Sequence, residues 1–241
     1  MEYWELFLEL INICMKLYLL KNLPSFVVQI IVKCYFENIK LNNGWFLQMN
    51  IERCYHGTTF GNAKRIMKNG FLLGKIPGKN NIIGRKNYNP GSLGLGIYCF
   101  VDDYISAVLF TKRRNSWTKE RLAVLGFEIE SNDYILDFTD INTIKIFRAF
   151  WSKTSQVIKT LRSKYNNDGF ASKLDGAILD LFIIWLVKNK KVDKIQGIYK
   201  LSQNNLTDVN IYITGLPNSA ELCIKDNEVI KKSSMYYEII D

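Results

Sequence analysis

The sequence is poor in histidine and has no closely spaced cysteines, and both shortages argue against particular kinds of site. Among 241 residues there is a single histidine, His56, which argues against a metal site built from imidazoles. The five cysteines are odd in number, and no two form a C-x-x-C pair. This spacing argues against a disulfide framework and a zinc site and favours a reducing compartment. We therefore expect no bound metal and a cytoplasmic location.

Long apolar runs are also missing. The longest charge-free stretch near the N-terminus runs from Asn22 to Val32, whereas a membrane span needs roughly 20 apolar residues. Glu2, Glu5 and Glu9 stand where a secretory signal peptide has its basic segment. We expect neither a membrane span nor a signal peptide.

Acidic residues are outnumbered, since 32 Lys and Arg stand against 23 Asp and Glu and leave a net charge of +9. Such an excess favours polyanionic partners such as nucleic acid. The alternative is ordinary solubility charge in a Lys-, Asn- and Ile-rich chain. A hydrophobic fraction of 48% with 13% aromatic residues is ample for a packed core, so the chain is not a disordered tail.

The pattern of apolar residues divides the chain near residue 48. Residues 2–20 predict a helix that is apolar around most of its circumference, and residues 26–38 predict a second helix. We interpret residues 1–48 as an N-terminal helical hairpin. It either packs on the main domain or presents a surface to a partner.

From residue 51 the pattern is one of short strands with helices segregated between them, which predicts an α+β fold and not an alternating parallel sheet. Residues 74–96 hold six glycines, four basic residues and no acid, which predicts a long mobile loop. Predicted helices cover 62–68, 104–112, 141–164 and 176–190. Predicted strands cover 51–55, 96–100, 122–129 paired with 134–137, 195–201, 209–214 and 221–225.

Three local motifs contain residue types suited to chemistry. Residues 55–58 read Tyr-His-Gly-Thr, residues 94–98 read Gly-Leu-Gly-Ile-Tyr with a Ser-Ala pair at 106–107, and residues 219–221 read Ser-Ala-Glu at the start of a late strand. Each motif alone is weak, because a lone histidine is more often structural and a Gly-x-Gly turn is common. Their order and spacing together are far more specific.

Together the three motifs resemble the histidine, tyrosine and glutamate motifs of the ADP-ribosyltransferase superfamily, on its diphtheria-toxin and poly(ADP-ribose)-polymerase-like side. The resemblance spans residues 51 to about 232 and leaves residues 1–48 outside it. It implies ADP-ribosyltransferase-like split antiparallel sheets in a catalytic domain over residues 49–241, with a helical insertion at 141–190. It also implies NAD as co-substrate.

The resemblance implies a role for each site residue. Glu221 would stabilise the oxocarbenium-like state formed when the nicotinamide–ribose bond breaks, and Tyr98 would pack against the nicotinamide ring. His56 would donate a hydrogen bond to the adenosine ribose and can also accept one, while Gly57 would let the backbone approach the carboxamide. The catalytic set is therefore His56, Tyr98 and Glu221, and the NAD-binding set is His56, Gly57, Thr58, Tyr98, Ser106 and Phe110.

Some residues depart from the family pattern. Ser219 stands where arginine-modifying relatives have a second glutamate, which argues against arginine as the acceptor. The second aromatic wall of the pocket falls at Val108, Leu109 or Phe110; Leu109 matches the register, but only Phe110 has a ring. The basic loop at 74–96 would close over the NAD pyrophosphate, guide a nucleic acid, or be simply solvated.

These features favour a mono-ADP-ribosyltransferase of toxin or effector type, acting in the cytoplasm of its own cell or of a host. The net charge favours RNA or DNA over protein as the acceptor, and residues 1–48 would offer a surface to an antitoxin or inhibitor. The alternatives are an NAD glycohydrolase and an RNA 2′-phosphotransferase, the latter disfavoured by the single histidine. The non-enzymatic alternative is a basic nucleic-acid-binding module with degenerate motifs.

Overall fold

The computed structural model describes residues 51, 53–84, 88–130, 134–165, 171–189, 191–203 and 217–240. The predicted hairpin at 1–48 and the predicted strand at 209–214 lie outside these residues. Within them the chain is a mixed α/β structure with one seven-stranded sheet and five α-helices. No helix of this part is both long and apolar enough to cross a membrane.

The predicted mixture of strands and helices is confirmed, and most elements fall close to their predicted positions. The strands are β1 (Cys54–Thr59), β2 (Ile97–Val101), β3 (Leu122–Ile129), β4 (Ile135–Asp137), β5 (Gly197–Ser202), β6 (Ser219–Ile224) and β7 (Ile230–Ile240). The helices are α1 (Phe60–Asn69), α2 (Lys79–Gly84), α3 (Tyr104–Arg114), α4 (Ile141–Tyr165) and α5 (Ala171–Lys188).

The sheet forks between β1 and β2. Its strand order is β4-β5-β6-β2-β1-β3-β7, and every neighbouring pair is antiparallel except β4 and β5. β1 pairs with β3 along all six of its residues. With β2 it pairs only at Cys54↔Val101 and Tyr55↔Phe100. From His56 onward β1 therefore pairs with β3 alone, and we call the stretch over which β1 and β2 are unpaired the gap.

The core lies on both faces of the sheet, as the alternation of side chains along each strand requires. One face carries a cluster that includes Cys99, Phe127 and Leu222. The other carries Phe100 and Val124 with residues of α3. The sheet is therefore buried on two sides where it forks.

The predicted pairing of the strands at 122–129 and 134–137 is wrong. β3 lies between β1 and β7, whereas β4 lies at the opposite edge and pairs in parallel with β5. A parallel pair needs a crossover connection, because its strands run the same way. Helices α4 and α5 supply that crossover, so residues 141–190 link two strands of the sheet.

Strands β1 and β7 differ most from the sequence-based prediction. β1 continues to Thr59, where the Thr59 hydroxyl accepts from the Asn62 N–H and caps α1. β7, which spans 11 residues, was not predicted. Its first half is polar because it forms an exposed edge beside β3, with a register shift between Gly126 and Glu128. An edge strand of this kind lacks the alternation that predicts a half-buried strand.

The prediction of a mobile loop over 74–96 is wrong for the described part of that segment. It contains α2, and its Ile82, Tyr88 and Leu93 side chains are buried. A tight turn closes at Gly91 and Gly94, and Gly94 has a φ of +87°, which favours glycine. A glycine-rich segment can therefore be ordered when its glycines serve turns and close packing.

Helix α5 holds that turn by backbone contact and by charge. An added Cβ at Gly176 would overlap the Gly91 carbonyl oxygen, so the helix and the turn touch directly. Asp180 of α5 accepts hydrogen bonds from the Leu95 N–H, at 2.8 Å, and from the Tyr88 hydroxyl. The turn that precedes β2 is therefore fixed to α5.

Candidate active site

His56 sits at the point where β1 leaves β2. Its Nδ1 lies 2.6 Å from the backbone carbonyl oxygen of Tyr98, on β2. A carbonyl only accepts, so Nδ1 carries the proton and donates. The hydrogen bond from the imidazole thus replaces the next backbone hydrogen bond that a continued pairing of β1 with β2 would form. Its ring also packs edge-on against Phe71, with centroids 5.3 Å apart.

Burial lowers the pKa of His56 below its ordinary value, and the hydrogen bond to Tyr98 only partly opposes this. The ring is therefore neutral at pH 7. With Nδ1 donating to Tyr98, the neutral ring leaves Nε2 as an acceptor. Of the two capacities predicted for His56, donation to a ribose and acceptance from one, this arrangement supports acceptance.

Tyr98 is held by its hydroxyl at the turn that precedes β2. The hydroxyl donates to the Gly94 carbonyl and accepts from the Leu93 N–H, both at 2.7 Å. Burial raises the pKa of this phenol, so it stays neutral. An added Cβ at Gly91 would overlap the outer end of the ring. The ring is consequently fixed in place.

Glu221 lies on β6, beside β2 and on the same face of the sheet as Tyr98. Phe100 pairs with Glu221, and Tyr98 pairs with Cys223. Tyr98 and Glu221 are thus diagonal neighbours, a relation that corresponds to about 7–8 Å. The Glu221 side chain is only 14% exposed.

Lys200 is a site residue that sequence reasoning missed. It lies directly opposite Glu221 in the pairing of β5 with β6, and its Nζ is 3.8 Å from Glu221 Oε2. An ammonium at this place helps to hold the carboxylate. The only sequence signal was that both residues lie on predicted strands; the register that pairs them is long-range.

The predicted NAD-binding residues on β1 border α3. An added Cβ at Gly57 would overlap the Thr111 hydroxyl. On that side of β1 the missing side chain of Gly57 makes room for α3 and not for a ligand. Close packing against α3 is therefore a structural reason for a glycine at this position. Thr58 follows it on β1, half-buried and paired with Ala123 of β3.

The predicted binding residues on α3 occupy two different environments. Ser106 is buried in the first turn, where its N–H donates to the capping Asp103 carboxylate. Phe110 is 41% exposed and packs edge-on against Phe100, with centroids 5.6 Å apart. Because Phe100 pairs with Glu221, the Phe110 ring stands on the face that carries the carboxylate. This position supports Phe110 as the aromatic wall.

The three candidate catalytic residues surround the fork from both faces of the sheet. Tyr55 pairs with Phe100, so His56, the next residue, starts from the opposite face to Tyr98 and Glu221. It reaches β2 through the gap and contacts the Tyr98 backbone. The structure therefore joins His56 to Tyr98 directly and places Glu221 one strand further along.

No family model, curated protein or solved structure matches this chain. Among the residues that the structure describes, no three or more histidine, cysteine, aspartate or glutamate side chains are grouped so that they could hold a metal ion.

The lowered pKa of His56 predicts that acid weakens the fold through this residue. Below the ordinary histidine pKa of about 6.5 the unfolded chain binds a proton that the folded chain does not. The free energy of unfolding should therefore fall as the pH drops below about 6.5. Because His56 is the only histidine, one imidazole signal in an NMR titration should report both the lowered pKa and the Nδ1–H tautomer.

The control for this prediction is His56→Gln. It should remove the loss of stability just below pH 6.5 and leave the later loss caused by carboxylates, which begins nearer pH 4. An imidazole that titrates at or above 6.5 in the folded protein would contradict the prediction.

Proposed function

We propose that the chain is an NAD-dependent mono-ADP-ribosyltransferase of toxin or effector type that acts in the cytoplasm on a macromolecular acceptor. The observation that carries the proposal is the arrangement at the fork. The His56 imidazole closes onto the Tyr98 carbonyl, and Glu221 lies on the adjacent strand on the face of Tyr98. The three motifs that resemble the superfamily are distant in sequence and meet here.

The fork itself supports an ADP-ribosyltransferase-like fold. β1 and β2 share only two residue pairs, so the sheet consists of a half with β4, β5, β6 and β2 and a half with β1, β3 and β7. In an ADP-ribosyltransferase-like fold these two halves would correspond to the split antiparallel sheets, and the parallel β4–β5 pair departs from that expectation. A dinucleotide bound at the gap would meet residues from both halves.

The positions of the residues suit the two ends of NAD. His56, with Nε2 as acceptor, would bind a hydroxyl of the adenosine ribose. Glu221 would lie beside the nicotinamide ribose, with the rings of Tyr98 and Phe110 against the nicotinamide. Lys200 would keep the Glu221 carboxylate in place.

The reaction breaks the bond between the nicotinamide nitrogen and ribose C1′, and nicotinamide leaves with the bonding electrons as a neutral ring. The ribose then carries positive charge shared between C1′ and its ring oxygen. A fixed carboxylate stabilises this charge more than it stabilises the substrate. A nucleophilic oxygen or nitrogen of the acceptor bonds to C1′ and releases its proton to the solvent.

The proposal is tested with NAD labelled in its adenylate phosphate, incubated with the full chain and, separately, with RNA, DNA or cell protein. We expect nicotinamide release together with label on a macromolecule, and nucleic acid as its carrier. Release of nicotinamide with free ADP-ribose as the only labelled product would make the chain an NAD glycohydrolase. If the chain consumes no NAD with any of these acceptors, the proposal is overturned. The non-enzymatic alternative, a basic nucleic-acid-binding module, would then remain.

A further inference from the structure

Two strongly basic segments of the chain meet at the edge where β1 ends and β3 begins. Residues 60–69 and 112–121 together hold eight basic residues and one acid, Glu120. All eight are exposed: Lys64, Arg65, Lys68, Lys112, Arg113, Arg114, Lys119 and Arg121. We call these two segments the basic-aromatic surface, because they also contain Phe60 and Trp117.

The two segments of this surface meet at Phe60. The Phe60 N–H donates to the Arg121 carbonyl at 2.8 Å. The Arg121 guanidinium lies 5.3 Å from the centre of the Phe60 ring, and the Lys64 ammonium lies 4.2 Å from it. Two cations from different segments, Lys64 and Arg121, thus share one aromatic ring where β1 ends and β3 begins.

Trp117 is the least expected residue of the basic-aromatic surface, since its side chain is 81% exposed. Its indole Nε1–H donates to the Arg114 carbonyl at 3.1 Å, which ties the ring to the end of α3. Arg121 follows only four residues later, so the two Cα atoms are at most about 14 Å apart. This large, oriented and exposed ring thus belongs to the same segment as Arg121, one of the two shared cations.

Helix stability explains only part of this charge. Lys112, Arg113 and Arg114 occupy the last turn of α3, where cations favour the helix dipole. The same reason does not apply to Lys64, which lies mid-helix in α1, or to Arg121, which precedes β3. It also gives no reason for an exposed tryptophan.

We propose that the basic-aromatic surface binds single-stranded nucleic acid, with Trp117 stacking on a base and the surrounding cations binding phosphates. Proteins that bind single strands combine these two features, a positively charged track and aromatic rings on which bases stack. Duplex nucleic acid keeps its bases stacked inside and would use only the charges. The exposed ring therefore favours binding of single-stranded over duplex nucleic acid.

The surface lies close to the fork. Phe60 is four residues beyond His56, and α3 leads from Phe110 to Arg114 with a rise of about 6 Å. A strand held on the surface would thus have nucleotides near the candidate catalytic residues. That this nucleic-acid strand is the acceptor of ADP-ribose rests on the proposed function. Its binding to the surface does not depend on that function.

The test is fluorescence anisotropy of the full chain with a labelled 20-nucleotide DNA strand, the matching RNA strand and the matching duplex. Trp117→Ala should weaken binding of both single strands about 5- to 100-fold, and Trp117→Phe should retain part of the affinity. Leu72→Ala, at a residue that is also highly exposed but outside the surface, should leave binding unchanged.

Salt dependence separates the two kinds of contact. The double variant Lys64→Gln/Arg121→Gln should reduce the slope of log affinity against log salt by about 1.4, whereas Trp117→Ala should leave the slope unchanged. The matched control is Lys145→Gln/Lys159→Gln, two exposed lysines on α4. This control should leave the slope as in the wild type.

Three outcomes would overturn the inference. They are unchanged single-strand affinity in Trp117→Ala, tighter binding of the duplex than of either strand, and equally tight binding of labelled polyglutamate that Trp117→Ala does not weaken. The last would assign the surface to an acidic protein. None of these measurements uses NAD, so a chain that binds strands without consuming NAD would lose the proposed function and keep this site.

Discussion

Glu221→Gln is expected to lower the rate of NAD cleavage about 100- to 1000-fold, because a preorganised charge beside the reacting ribose is worth that much in comparable sites. Glutamine has nearly the same shape and keeps one oxygen, so the fold of β6 should be unaffected. The lost quantity is the negative charge that faces the positive ribose in the transition state. The measurement is nicotinamide release under single-turnover conditions, with NAD binding followed separately.

The matched control is Glu128→Gln. Glu128 also lies on a strand and is also paired, with Lys231 at 2.8 Å and Arg53 at 3.5 Å. It belongs to β3, on the side of β1 away from β2. NAD cleavage should remain at the wild-type rate in this variant. A folded Glu221→Gln protein that cleaves NAD as fast as the wild type would contradict the role given to the carboxylate.

The sequence predicted those elements whose signals are local. α1 is an example: its predicted end at Asn69-Gly70 is confirmed, with Gly70 at a φ of +78° and its N–H bonded to the Ile66 carbonyl. β2 and β6 were also predicted within a residue or two. Caps, glycines and apolar runs act over a few residues, and the sequence displays them directly.

Pairings between distant segments could not be predicted in the same way. β4 is too short to reveal its partner, and it pairs with β5 after two intervening helices. In the sequence, Lys200 is one more charge of a basic chain. Only the register of β5 and β6 shows that it lies opposite Glu221. The sequence thus displays the residue types of the candidate site but not the long-range contacts that hold them.

The buried ion pair between Lys225 and Asp180 is another contact between distant segments that the sequence could not predict. The two residues are 45 apart in sequence, and their side chains are 1% and 0% exposed. Lys225 Nζ lies 3.0 Å from Asp180 Oδ1 and also donates to the carbonyls of Leu93 and Leu95, at 2.6 and 2.7 Å. Each charge is therefore satisfied by a partner and by the backbone of the turn.

Lys225→Met is expected to reduce the free energy of unfolding by about 3–5 kcal/mol, because it leaves the Asp180 carboxylate buried without its counter-charge. The measurement is denaturant unfolding at neutral pH. The control is Lys194→Met, which removes a lysine that is 49% exposed and paired with Asp226 at 3.0 Å. Exposed pairs of this kind contribute about 0–1 kcal/mol.

A second variant separates the cost of leaving the Asp180 carboxylate unpaired from the cost of losing the packing of the Lys225 side chain. Lys225→Met/Asp180→Asn has no buried charge, and the asparagine oxygen can still accept from the Leu95 N–H. It should therefore be more stable than Lys225→Met alone. Equal losses in Lys225→Met and Lys194→Met would contradict the importance given to the buried pair.

The same pair links stability to the candidate site. The turn that Lys225 and Asp180 hold contains Leu93 and Gly94, whose backbone fixes the Tyr98 hydroxyl. Loosening the turn should free the Tyr98 ring, whereas His56 and Glu221 remain on their strands. NAD cleavage in Lys225→Met, measured where the protein is still folded, should therefore fall more than in Lys194→Met, because the ring against nicotinamide is no longer held.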